Sequence, residues 1–334
     1  MGRITLDDRY VDLGVKFIDQ DDLERALRYL NRALSLNPRS YLAYYNRGIV
    51  YDSMGRPEQA LADYECALRI QPNHLASLHN RGVVLRELGR SREAIECFDQ
   101  VLRYEPDNDD VVYNRGAALA DLGRYQEAIA CYDQATELAP EKHDARIAKG
   151  NCLLELGRPR EAASLADEIL ERDPSSLDGN ILEGLARLDE GLHRQAIVSF
   201  DKALEIAPED HAALLHRGCA LLSLRRNEEA VGNLQAALKY HPDCDEAFYN
   251  LAIAYVMLGN REAALDALQT AIDIHPPRRA EARKAKEFEP LRSEPRFKAV
   301  LSGQSGQVSQ RGQSGQRGRP GKGSGPAKAS REID

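Results

Sequence analysis

The sequence has no tryptophan, three methionines and only 6% aromatic residues. Sheet cores lean on aromatic and β-branched side chains, so this poverty favours closely packed helices built from the plentiful Ala and Leu. Long apolar runs are missing as well. Nothing approaches 18 consecutive apolar residues, so no membrane-spanning segment is expected. Met1 to Tyr10 is polar and acidic and lacks the apolar stretch of a signal peptide. It opens Met-Gly, yet Leu6 stands where a myristoylation signal needs Ser or Thr. Six cysteines (Cys66, Cys97, Cys131, Cys152, Cys219 and Cys244) form no C-x-x-C pair, which argues against a zinc site or disulfide framework. They read as small buried or half-buried residues of a reducing compartment. A soluble cytoplasmic protein without cofactor or metal is the expectation. An excess of positive charge is lacking too: the net charge of −8 argues against general nucleic-acid binding by the body of the chain.

Catalytic constellations are also absent. His74, His143, His211, His241 and His275 fall near segment junctions, and none belongs to H-E-x-x-H or another ligand spacing. No glycine-rich phosphate loop follows a strand, because no strand pattern exists. The sequence reads as a non-enzyme.

What is present is a period. Pro38, Pro72, Pro106, Pro140, Pro174, Pro208, Pro242 and Pro276 are each 34 residues apart, without insertion or deletion. Units of 34 start at Asp7, Tyr41, Leu75, Asp109, His143, Leu177, His211 and Asp245. The eighth place is Gly14, Gly48, Gly82, Gly116, Gly150, Gly184 and Gly218, then Ala252; the twentieth is Ala in all eight, from Ala26 to Ala264. Small residues at these places let two helices cross with their backbones close. Gly55, Gly89, Gly123, Gly157, Gly191 and Gly259 suit the end of a first helix. Pro57 and Pro159 suit the first turn of a second. Ala60, Leu61, Tyr64, Ala67 and Leu68 recur at helical spacing as a buried face, and each periodic proline stops the second helix.

With the intervening tyrosines and leucines, these residues resemble the tetratricopeptide repeat over residues 7 to about 278. The resemblance implies an all-α fold: a right-handed superhelical solenoid of helical hairpins, with a concave groove that commonly binds peptides or partner proteins. One departure is the seventh place, often leucine in the family but Arg47, Arg81, Arg115 and Arg217 here. A solvated flank is the expectation for these arginines.

Residues 1–6 form a lead-in, and 279–301 form a C-terminal cap for the last repeat's open face. Ala280 to Phe288 is expected to be helical, and Pro290 and Pro295 bracket a turn before Phe297, Val300 and Leu301. This Phe-Glu-Pro-Leu-Arg…Pro-Arg-Phe stretch looks like the closing segment of bacterial arrays of the family and points to a bacterial source. Residues 302–334 hold eight glycines, no aromatic residue, and six Lys/Arg against two acids. Such a tail cannot bury enough surface to offset its ordering entropy and is expected to be disordered. It serves as a solubilising end, as a competitor for an acidic groove, or as a weak RNA contact through Arg311-Gly312 and Arg317-Gly318.

In a helix, places 2, 6, 9 and 13 share a face, and the resemblance turns that face to the groove. The sixth place is Asn46, Asn80 and Asn114 in three consecutive repeats, and Asn250 in the last. With helices roughly 8–10 Å apart and an extended peptide advancing about 3.3 Å per residue, an asparagine per repeat meets every third peptide residue. Its amide both donates and accepts. The row looks like the asparagine ladder of the nucleocytoplasmic O-GlcNAc transferase, although these residues contain no transferase domain. Ala148, Leu182 and His216 interrupt it.

Across the 32 groove places stand eleven acids and no Lys or Arg, where 45 in 334 would put about four. Asp8, Asp110, Asp144, Asp178 and Glu246 open their helices, where the helix dipole accounts for them. Asp19, Glu87, Asp121, Glu155 and Asp189 lie at helix C-termini, where an acid is unfavourable by roughly 0.3–1 kcal/mol. Arg90, Arg124 and Arg158 each follow an acid by three residues and are positioned to pair with it. The heat-shock chaperone clamp of some relatives needs Lys and Arg on this face, so that partner class is not expected. The reading is a scaffold or adaptor that grips an extended, preferably basic, peptide of a partner protein. The alternatives are an accessory subunit that docks to an enzyme and positions its substrate, and RNA association through the tail.

Overall fold

The protein is described from a computed structural model covering residues 5–303. No strand occurs among these residues. Most of the lead-in and all but the first two residues of the 302–334 tail lie outside them.

The described residues divide into two compact units, with the division between Leu224 and Arg225 inside the seventh repeat. The first unit holds thirteen helices among the described residues. They are α1 (Leu6–Ile18), α2 (Leu23–Leu36), α3 (Tyr41–Ser53), α4 (Pro57–Ile70), α5 (Leu75–Glu87) and α6 (Ser91–Leu102). Then come α7 (Asp109–Asp121), α8 (Tyr125–Leu138), α9 (Asp144–Glu155), α10 (Pro159–Arg172), α11 (Leu177–Asp189), α12 (His193–Ile206) and α13 (His211–Ser223). The second unit holds α14 (Asn227–Tyr240), α15 (Asp245–Met257), α16 (Arg261–Ile274), a short α17 (Arg278–Lys284), a 3-10 turn (Lys286–Leu291) and α18 (Pro295–Ser302).

Each hairpin closes on the pair that the sequence pattern singles out. The alanine at place 20 is fully buried in every repeat. Opposite it, a Cβ on Gly48 would stand 2.6 Å from the Tyr64 ring, and one on Gly184 would stand 2.4 Å from the Phe200 ring. These rings at place 24, with Phe98 and Tyr132, are the large side chains of the core, and the missing Cβ is what admits them. Every second helix from α4 onward except α6 ends two residues before its periodic proline, with the intervening residue extended or nearly so. Pro57 and Pro159 occupy first turns as expected. Within the first unit, successive first helices touch directly: α1 on α3, α3 on α5, α5 on α7, and onward to α11 on α13. Three of the six cysteines are buried, and none of the six forms a disulfide.

The seventh-place arginines are not solvated. Arg47 donates from Nε and Nη2 to Asp63 at 2.6 and 2.7 Å, and from Nη1 to Asn31 at 2.6 Å. Arg115 and Arg217 pair with Asp99 and Asp201, each at 2.6 Å, and Lys149 at the same place pairs with Asp133 at 2.6 Å. All these partners lie 16 residues away, on the second helices flanking each first helix. The cause is geometric. Place 7 points into the crevice between two second helices, so the guanidinium is half-buried and needs an acceptor there. Glu183 stands at this place in the sixth repeat, facing Asp167. Arg187, one turn on, lies 3.7 Å from Asp167 and 3.9 Å from Glu183 and supplies the cation instead.

In the second unit the cap departs from a single helix over 280–288. The α17 helix stops at Lys284 and Ala285 is extended, and the 3-10 turn that follows carries Phe288 and Leu291 inward. Both are fully buried, and Phe288 packs edge-on against Tyr249 of α15 at 5.6 Å.

Arg225 occupies the loop place held by glycine in six other repeats, and its φ is 61°. A left-handed non-glycine residue carries roughly 1–2 kcal/mol of strain. Arg225→Gly is expected to raise the unfolding free energy of its unit by about 1 kcal/mol, read as a higher denaturant midpoint; an unchanged midpoint refutes the strain. Arg47→Ala leaves Asp63, 5% exposed, without its forked partner. It is expected to cost about 3 kcal/mol, against under about 1 kcal/mol for Arg90→Ala at an exposed pair. Equal losses in the two variants would contradict the burial argument.

Candidate binding groove on the first helices

The first-helix face of unit 1 carries most of the residues singled out in the sequence, but the two rows behave differently. Place 6 lies at the edge of the core. Asn46 is only 9% exposed, and its Nδ2 donates to the Leu42 carbonyl of its own helix at 2.8 Å. Asn80 is half-buried; its Nδ2 reaches the Tyr64 hydroxyl at a marginal 3.5 Å, and its side chain also hydrogen-bonds the Tyr45 hydroxyl. The Asn114 Nδ2 lies 3.4 Å from His79 Nε2. The Asn80 and Asn114 amides therefore meet side chains, while Asn46 is committed to its own helix. Asn250 belongs to the second unit, where it is half-buried.

The break at Leu182 has a packing cause. Place 24 of the fifth repeat is Ala166, so no ring fills the space over Gly150. Leu182, 1% exposed, fills it: a Cβ on Gly150 would lie 2.4 Å from Leu182 Cδ2. A leucine spent on the core is not available to a ligand.

The acids at place 13 sit at the ends of their helices, Asp19 as the C-cap of α1 and Glu87, Asp121, Glu155 and Asp189 as last residues of α5, α7, α9 and α11. All five are exposed. The expected neutralisation by the following arginines does not occur. Arg90 forks onto Glu93 at 2.7 Å through both Nε and Nη2, Arg124 onto Glu127 likewise, and Arg158 onto Glu161 at 2.6 Å. Each arginine is the N-cap of a second helix, and a carboxylate in that helix's first turn is the better partner because the dipole favours it there. The place-13 acids keep only weak company. Asp121 accepts from the Ser91 hydroxyl at 3.1 Å and lies 3.8 Å from Arg86; Glu155 is 3.4 Å from the Tyr125 hydroxyl.

Three contributors were not singled out in the sequence. Asp52, one residue before place 13, is half-buried, and burial followed by the nearby Glu87 raises its carboxyl above the ordinary range. Partial desolvation of its carboxyl, with Glu155 next, does the same to Asp189, although the residue as a whole is exposed. Two pairs of acids in adjacent repeats, Asp52 with Glu87 and Glu155 with Asp189, therefore lie close enough to act on one another. Place 5 adds rings beside the asparagines: Tyr45, His79 and Tyr113. The His74 ring packs edge-on against Tyr41 and Tyr45 at 5.1 and 4.9 Å. Place 5 lies one residue from place 6, and the four-place stripe used to read the groove was too narrow to include it.

The third is Lys142. It holds the place that caps the first helix elsewhere, where the Ser40, Asn108, Ser176 and Asp210 side chains accept a first-turn N–H. Lysine has no acceptor. The α9 helix starts one residue late, and the Lys142 ammonium crosses to Asp109 and Asp110 at 2.8 and 2.9 Å. Those carboxylates push its pKa up. The displaced junction borders a cavity of about 330 Å³ lined by His79, Asp109, Asp110, Tyr113, Asn114, Ala135, Lys142, Asp144 and Ala145. Burial holds the His79 imidazole below its ordinary value despite Asp110 and Glu105, and burial with Asp144 beside it raises the Tyr113 hydroxyl.

A carboxyl with a raised folded-state pKa weakens the fold while ionised. That penalty fades as the pH falls through the raised value and is gone once the unfolded carboxyl is also protonated. Asp52→Asn is therefore expected to raise the thermal midpoint at pH 7 and to make no difference below about pH 4. A lower midpoint at pH 7 would show that the ionised carboxylate stabilises the fold.

Comparison with known proteins agrees with the helical-repeat fold. A family described as tetratricopeptide repeat matches residues 79–133, 113–176, 181–232 and 215–279, and a second family of the same description matches 15–73. A tetratricopeptide repeat protein from Parabacteroides merdae superposes with a TM-score of 0.65 at 20% identity, over 74% of this chain and 98% of its own. Yeast Tom70 superposes at 0.61 and 19% identity, over 90% of this chain and 68% of its own. At these identities the structural likeness shows the fold alone. No curated protein matches the sequence. No helix among the described residues is long and apolar enough to cross a membrane. With more than half of its residues matched by that description, the chain belongs to the tetratricopeptide repeat family.

Proposed function

We propose that the chain is an interaction scaffold whose first unit holds an extended, basic segment of a partner protein along its first helices. Family membership supports the interaction class in general. The basic preference rests on one observation: the arginines that follow Glu87, Asp121 and Glu155 are forked onto Glu93, Glu127 and Glu161, leaving the place-13 carboxylates exposed. An acid at a helix C-terminus is unfavourable, and the cost recurs in five repeats. A cationic ligand relieves both the dipole clash and the repulsion between neighbouring repeats.

The spacing suggests the ligand's form. One acid per repeat at roughly 8–10 Å meets an extended chain about every third residue. Asn80 and Asn114, whose amides meet side chains, are available to the segment's backbone. Asn46 is not part of that grip, since its amide is bonded to Leu42.

The test is a titration of the full chain with fluorescent 15-residue peptides carrying lysine, glutamate or glutamine at every third position, at about 0.15 M salt. The lysine peptide is expected to bind best, and the Glu87→Gln, Asp121→Asn, Glu155→Gln variant to lose about tenfold, since exposed pairs contribute up to about 1 kcal/mol each. Equal binding of the lysine and glutamate peptides ends the basic-segment reading.

A further inference from the structure

The cavity between α7 and α9 is separate from the place-13 row. Asp110 and Asp144 stand in the first turns of their helices, while Asp121 and Glu155 end the same helices eleven residues later. At 1.5 Å per residue the two sets are roughly 16 Å apart along the helix axis. A segment lying over Asn80 and Asn114 runs between them. Side chains of the segment that lie between those meeting the acid row are placed to face the cavity edge.

The cavity's lining is specific in chemistry. Its volume of about 330 Å³ is at the lower limit for a small-molecule site and suits one long side chain. Tyr113, His79, Ala135 and Ala145 supply ring and apolar wall for a methylene stem. Asp109, Asp110 and Asp144 face it with three carboxylates against the single ammonium of Lys142, which already sits within 2.9 Å of the first two. The Asp144 carboxylate is not among the groups that Lys142 pairs with. Neutral His79 adds no positive charge to oppose a cation, and its ring nitrogen has only the marginal 3.4 Å contact with Asn114.

We infer that this cavity is a specificity pocket that takes one arginine or lysine side chain of the bound segment, with Asp144 and Asp110 as its carboxylate partners and Tyr113 against its stem. The inference rests on the groove reading above, because the segment must first lie along the first helices. It adds a register: a single position of the segment, and not its overall charge, is read here.

A single-arginine walk tests it on the full chain. The 15-residue lysine peptide is kept, and each neutral spacer is replaced in turn by arginine. One spacer position is expected to gain about tenfold in affinity, the size of one well-made charged contact. In the Asp110→Asn, Asp144→Asn variant that gain is expected to vanish while the parent lysine peptide still binds. An equal gain at every spacer position, or a positional gain that survives in the variant, overturns the pocket and leaves the groove reading standing. Failure of the parent peptide to bind wild type overturns both. Circular dichroism with an unchanged melting curve establishes that the variant is folded, and Tyr113→Phe, which keeps the ring and all carboxylates, is expected to retain the positional gain.

Discussion

Everything in this chain depends on how closely the two helices of a hairpin cross. Glycine at place 8 and alanine at place 20 are the only side chains that let the ring at place 24 lie against the opposing backbone, as Phe200 does over Gly184 and Tyr64 over Gly48. Once that crossing is set, every other place in the repeat acquires a fixed direction. Place 7 looks into the crevice between second helices, place 13 ends on the open face, and place 6 falls on the border between core and surface. Function can therefore vary through single side chains without disturbing the frame, provided the crossing pair is kept or its volume is restored from elsewhere. Leu182 is such a restoration: it covers Gly150 where Ala166 has left a gap, and the repeat gives up a groove position to do so.

This border explains what was legible in the sequence. Period, helix limits and the crossing pair are local and repeated eight times, so they were readable before any coordinates. Directions at the margin were not. A place-6 asparagine reads as a groove residue in the pattern, yet Asn46 is 9% exposed and bonded to Leu42, because a few degrees of helix rotation separate border from surface. The seventh-place arginines read as flank residues, since nothing in a linear sequence shows that position i meets i ± 16 across a crevice. Asp63, Asp99, Asp133 and Asp201 stand at those distances from Arg47, Arg115, Lys149 and Arg217, so the signal was present as a cross-helix charge covariation within one chain.

The arginines at the starts of the second helices show how two local rules compete. A cation three residues after an acid is a plausible partner for it, and so is a cation three residues before one. Arg90, Arg124 and Arg158 have both options and take the forward one in all three repeats. The helix dipole decides, because the forward acid lies in a first turn where negative charge is already favoured, whereas the backward acid lies at a C-terminus where it is not. The better pair forms and the worse site keeps its unbalanced carboxylate.

That leftover carboxylate is where stability and binding part company. Nothing in the fold requires an acid at place 13: Ser53, Ser223 and Met257 hold it in other repeats with the same helix ends. Asp52 and Asp189 are held above their ordinary range by desolvation and, next, by an acid of the next or preceding repeat. Acids placed beside acids in this way are the reverse of a structural ion-pair network, in which charges alternate as they do along the Arg47 crevice. Like charges aligned on one exposed face repel until an opposite charge arrives from outside, and the energy released on its arrival grows with the number of repeats it spans. Under the proposed function, a ligand long enough to cross several repeats gains from all of them at once, which favours a segment of chain over a single small cation.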